Sequence, residues 1–117
     1  MQKQHMETVM IKYKSSISDP TLREMSVAIV FRAGCLAVHR RPQYPGELHK
    51  PKRIWIITHI PTGYAATGRV LLTDKSVAIS VCKELAMLDW SDVTLGGLTP
   101  DALSKAARNV YSAHGLL

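Results

Sequence analysis

Three prolines, Pro42, Pro45 and Pro51, fall within ten positions of one another. Proline lacks the backbone N–H and holds φ near −65°, so neither a helix nor a central strand runs through such a stretch. Residues 40–53 are therefore expected to form one long loop, with the regular elements on either side. Around the prolines stand Arg40, Arg41, Lys50, Lys52 and Arg53 against the one acid Glu47, a net charge of +4 over residues 39–53. Long loops in compact domains are usually functional or disordered. This loop is the most informative segment of the chain.

The elements around it are set by periodicity. Residues 6–14 alternate and read as a first strand, and residues 15–20 as a loop. Residues 25–32, rich in β-branched side chains, read as a mostly buried strand. Gly34 marks a turn or a bulge, after which residues 35–39 either continue that strand or return as its hairpin partner. Residues 54–60 form the clearest strand. Pro61-Thr62-Gly63 is a turn, and residues 64–72 are the expected partner strand, with Gly68 as a bulge.

Beyond Thr73-Asp74, an N-cap, Val77, Val81, Leu85 and Leu88 recur on one helical face, predicting a helix over 74–88. A connector with Gly96-Gly97 comes next. Thr99-Pro100-Asp101 reads as cap, first-position proline and first-turn acid, starting a second helix over 100–113 that Gly115 closes. Strands first and helices last predict an α+β fold. The expected form is a four- to five-stranded, mainly antiparallel sheet with two C-terminal helices on one face. The chain, residues 1–117, is expected to be a single domain.

Composition narrows the class. Of 117 residues, 46% are hydrophobic and 21% charged, an ordinary globular balance that argues against general disorder, collagen or a coiled coil. The net charge is +6. The excess sits in the front and middle, whereas residues 73–117 carry four bases and five acids. A dense basic segment suits an anionic partner, nucleic acid or an acidic protein or nucleoprotein surface. The alternative is an ordinary solvated face. No run has the length of a membrane span, and the first residues have no secretory apolar core. With two cysteines, Cys35 and Cys82, in apolar contexts, the expectation is a cytoplasmic protein with reduced thiols and no membrane partner.

Chemistry-bearing patterns are sparse. The histidines His5, His39, His49, His59 and His114 and the two cysteines match no structural zinc spacing. No glycine-rich phosphate loop is present, and Asp74 and Asp101 are explained as helix-start acids. His39, or His59 with Cys82, remains the weakest reading, an enzyme without a local motif. No catalytic residue, metal or cofactor is implied, and the chain is read as a non-enzymatic binding protein.

The candidate binding residues are Arg40, Arg41, Tyr44, Lys50, Lys52, Arg53 and Arg69. The cations can neutralise phosphates with release of counterions. Tyr44 is open to stacking on a base or to packing, whereas Trp55, in an apolar strand, reads first as core. An uncovered sheet edge would also permit a homodimer.

The order strand, Pro61-Thr62-Gly63 turn, strand, capped helix ending in Leu88-Asp89-Trp90 over residues 54–90 resembles small uncharacterised proteins of phages and mobile elements. It is similar too to the sheet-then-helix layout of AP2-type and integrase-arm DNA-binding domains. That second resemblance implies a sheet face entering the major groove, with Arg53, Trp55 and Arg69 as the matching residues. Ile57 continues the same side as an apolar residue, a departure from that pattern. The first resemblance implies a second partner class, a host defence nucleoprotein complex inhibited in the style of anti-CRISPR proteins.

Overall fold

The computed structural model describes residues 7–14, 21–48, 50, 53–67, 70–93 and 100–117. The expected features at residues 15–20, Gly68, Gly96-Gly97 and Thr99 lie outside them, as do His5, His49, Lys52 and Arg69. The element order is β1 (Thr8–Lys14), β2 (Leu22–Ala28), β3 (Phe31–Ala33), β4 (Leu36–Arg40), β5 (Trp55–His59), β6 (Tyr64–Ala65), α1 (Lys75–Leu85) and α2 (Asp101–Ala113). The fold is α+β and all strand pairs are antiparallel.

The strands divide into two sheets, one of them the four-stranded antiparallel sheet expected from sequence and the other a separate hairpin. β1 and β2 form a two-stranded sheet, and β3–β4–β5–β6 form the second. The division falls inside the segment 25–32, which sequence alone presents as one strand. Ile29 N–H still bonds to the Glu7 carbonyl in the first sheet, whereas Val30 N–H already bonds to Val38 in the second. The segment is less buried than its β-branched side chains suggest, with Val27 alone buried, and its run of apolar residues from Val27 to Phe31 carries no mark of the transfer. At Gly34 the chain returns: Ala33 pairs with Leu36 across a two-residue loop. Gly34 takes φ +56°, the positive value that a tight hairpin of this kind needs.

Register assigns the faces. Leu36, Val38, Trp55, Ile57 and His59 share one face of the second sheet, and Ala37, His39 and Thr58 share the other. α1 packs Ala78, Val81, Cys82 and Leu85 onto the first face, and α2 adds Ala107 and Tyr111 to the same core. The apolar side of the N-terminal hairpin, Val9, Ile11 and Val27, forms a second cluster with Ile29, Tyr44 and Ile60. β4 is buried on both faces, which explains its unbroken apolar run Leu36–Val38.

Local chemistry sets the boundaries. Asp74 Oδ1 accepts from the N–H groups of Ser76 and Val77 at 2.8 and 3.2 Å, so α1 starts where the cap predicts. The helix ends at Leu85, three residues earlier than expected, because the Trp90 indole N–H reaches back to the Leu85 carbonyl at 2.7 Å. Pro100 occupies the cap position of α2 and the helix begins at Asp101. At its far end Gly115, at φ +69°, lets Leu116 N–H bond to the Tyr111 carbonyl. The expected strand 64–72 is interrupted. Ala66 N–H bonds to Ile57 and the Leu72 carbonyl accepts from Trp55, so the chain leaves the ladder after Ala66 and rejoins it at Leu72.

The hairpin turn at Gly63 joins the two sheets. Its carbonyl accepts from Lys12 N–H at 3.0 Å, and its φ is +75°. A Cβ here would lie 2.9 Å from the Met10 carbonyl oxygen, a backbone atom with little room to yield. Gly63→Ala therefore combines backbone strain with a clash, and a loss of about 2 kcal/mol is expected in urea unfolding. An unchanged midpoint would contradict the seating of β1 on this turn.

His39 is fully buried. Its Nδ1–H donates to the Arg40 carbonyl at 2.9 Å, and Nε2 accepts from the Thr58 hydroxyl at 2.7 Å, the arrangement of a neutral ring. Burial pushes its pKa below the ordinary 6.5, against a smaller opposing contribution from the Arg40 carbonyl; burial lowers His59 likewise. The unfolded chain thus binds more protons than the folded one just below pH 6.5. Stability should hold above that value and fall as pH drops from 6.5 through the folded values. Urea midpoints at pH 7.5 and 5.5 check this, and a midpoint that rises on acidification would refute it.

Candidate nucleic-acid interface

The proline loop closes at its neck. Arg40 pairs with Trp55 at the end of the β4–β5 ladder, and Arg41 N–H bonds to the Ile54 carbonyl at 2.7 Å. Arg40, Arg41 and Arg53 thus enter and leave the loop side by side. Past this neck the chain forms an organised turn. Arg41 spans both carboxylate oxygens of Glu47 at 3.0 Å each and donates to the Pro42 carbonyl at 3.1 Å. Glu47 also accepts Tyr44 N–H at 2.7 Å, and Gln43 donates to the Glu47 carbonyl at 2.9 Å. The Arg41 pair holds the Glu47 carboxyl below the usual carboxylate range, and the same hydrogen bond raises Arg41.

Tyr44 is held between two groups. Its ring stacks on Tyr13 at 5.0 Å, and the Arg41 guanidinium lies 4.8 Å from its centroid. Two of the sequence-predicted residues, Arg41 and Tyr44, are therefore engaged in the loop's own packing. The charge of Arg41 is matched by Glu47.

The remaining cations meet elsewhere. The Arg40 guanidinium carbon and the Lys75 Nζ each lie 5.9 Å from the centre of the Trp55 ring. Arg40 comes from the end of β4 and Lys75 from the first turn of α1. Arg53 stands two residues before the same tryptophan, and Lys50 is exposed further along the loop. The ion pairs Arg32–Glu7, Arg41–Glu47 and His114–Glu84 involve none of Arg40, Arg53 or Lys75. The acid next in sequence, Asp74, has its Oδ1 taken by three donors at the helix start. The result is a local excess of positive charge around a ring that holds the two arms in place through its π face.

Trp55 itself is 8% exposed and belongs to the helix-covered core with Ile57. A groove-reading sheet face with Trp55 as a contact residue is corrected on this point, because that face is filled by α1. Lys75 carries no mark in the sequence. It stands as a lone cation 35 residues beyond Arg40, and its neighbour Asp74 hides it in any charge count. Lys52 and Arg69 lie outside the described residues.

The residues considered for catalysis are arranged otherwise. His39 is sealed by its two hydrogen bonds. Burial pushes the Cys82 thiol up to about 11, with Cys35 adding to the rise, so it holds its proton at neutral pH. Among the described residues no three His, Cys, Asp or Glu side chains converge as a metal site. No helix among them is long and apolar enough to cross a membrane. Compared with protein-family models, with curated proteins and with solved structures, the chain finds no match.

Proposed function

We propose that the chain is a non-enzymatic nucleic-acid-binding protein that grips the phosphate backbone through Arg40, Arg53 and Lys75, with Lys50 extending the contact along the loop. The observation that carries this reading is the meeting of Arg40 and Lys75 on one indole, beside Arg53 and without a paired acid. Such a cluster is pre-positioned: the side-chain entropy of two long cations is already reduced before a phosphate arrives. With Tyr44 enclosed and Trp55 in the core, contacts fall on phosphates and not on bases, so binding is independent of sequence. The reading agrees with a cytoplasmic location, where nucleic acid is accessible.

The test is fluorescence anisotropy with labelled 20-base-pair DNA and RNA duplexes and the matching single strands, in 50 and 200 mM KCl. Three to four neutralised phosphates give a log–log salt slope of about −3, a loss of roughly 40- to 150-fold over that range. No binding at 50 mM would overturn the reading. Retention by a host protein after nuclease treatment would then favour the inhibitor class instead.

A further inference from the structure

A cavity of about 730 Å³ opens on the opposite end of the second sheet, between the β5–β6 turn, the segment after α1 and helix α2. Its size is that of a small-molecule site, for which a few hundred to a thousand Å³ is usual. Four rings line it: His59, Tyr64, Trp90 and Tyr111. His59 and Trp90 stack on each other at 5.5 Å and 24°, and Trp90 is pinned by its bond to Leu85. The Tyr111 hydroxyl donates to the Ala66 carbonyl at 2.6 Å, which fixes that ring too. The walls are held before any ligand enters, so little ordering would be lost on binding.

Among the described residues that line the cavity, Arg108 carries a full charge and none is Asp or Glu. His59 Nδ1 lies 2.9 Å from the Thr62 hydroxyl, whereas that hydroxyl is 3.4 Å from the His59 carbonyl. That hydroxyl donates to the His59 carbonyl, so the neutral ring donates its Nδ1–H to Thr62 Oγ1. Ser104 adds a hydroxyl from the first half of α2. Arg108 and Ser104 therefore border a space whose remaining wall is mostly aromatic and aliphatic, and Leu71 and Leu117, which also line it, are largely exposed.

We infer that this cavity binds a small aromatic carboxylate. The flat ring lies among the four aromatic side chains, and the carboxylate meets Arg108, with the Ser104 hydroxyl as a further donor. The site is separate from the cation cluster at Trp55 and does not depend on nucleic-acid binding.

The probe is 1-naphthoate, with neutral 1-naphthalenemethanol as its uncharged counterpart, titrated calorimetrically into the whole chain. Saturable one-to-one binding is expected, with the alcohol at least tenfold weaker. Arg108→Gln, at an exposed helix position, should weaken naphthoate about tenfold and leave the alcohol unchanged. Ser104→Leu, which fills the space, should weaken both. Absence of naphthoate binding at 1 mM, equal affinity for the two probes, or indifference to both variants would overturn the inference. Retained far-ultraviolet circular dichroism in each variant separates loss of the site from loss of the fold.

Discussion

Replacing Ile57 with alanine should cost about 3 kcal/mol of stability and lower the melting temperature by about 12 °C. Ile57 is fully buried at the centre of β5. Its side chain faces α1, and it pairs across the sheet with Val38, itself fully buried. Neither side can move in to fill the space. β4 is held on its other face by the second cluster, and α1 is anchored at both ends, by Asp74 at its start and by Trp90 at Leu85. A site that cannot collapse keeps its cavity, and the cost lies well within the usual range for such truncations. A loss below about 1 kcal/mol in urea unfolding would mean that the helix and sheet are not in the contact described.

The largest effect on binding is expected from Arg40→Gln, Arg53→Gln and Lys75→Gln combined. Glutamine keeps much of the side-chain length that covers Trp55 and removes the charge. Each phosphate contact contributes about 0.9 to the salt slope, so removing three should bring a slope near −3 close to zero. Affinity at 50 mM KCl should fall at least 30-fold. All three positions are solvent-exposed, so the fold should survive within a few tenths of a kcal/mol each. A variant that folds and binds with an unchanged slope would place the interface elsewhere.

How much of this was legible in the chain depends on the range over which each signal acts. The α+β order, the Asp74 cap and the Gly34 and Gly63 turns depend on residues within a few positions of one another, and sequence carries them well. The division into two sheets does not, because the run from Val27 to Phe31 is apolar across the transfer and the choice of partner strand is made by residues far along the chain. The loop was recognisable from its prolines, but the roles inside it were not. Arg41 and Arg40 are adjacent and chemically identical. One is tied to Glu47 and the other lies over Trp55, a difference that register alone decides. Lys75 reaches the cluster only through the docking of α1 on the sheet. The cavity is similarly hidden: its rings come from β5, β6, the segment after α1 and α2, and no local pattern in the sequence joins them.

The sharpest test of the account compares two charge-altered proteins side by side in the anisotropy titration. One carries Arg40→Gln and Lys75→Gln, removing two cations from the Trp55 cluster. The other carries Arg41→Gln and Glu47→Gln, which leaves the net charge of the loop unchanged and removes only its internal pair. The salt slope for duplex DNA should shrink by about 2 in the first and stay within about 0.5 of the unaltered protein in the second. Equal slopes in the two, or a greater loss in the Arg41 and Glu47 protein, would contradict the assignment of binding to the cations gathered at Trp55.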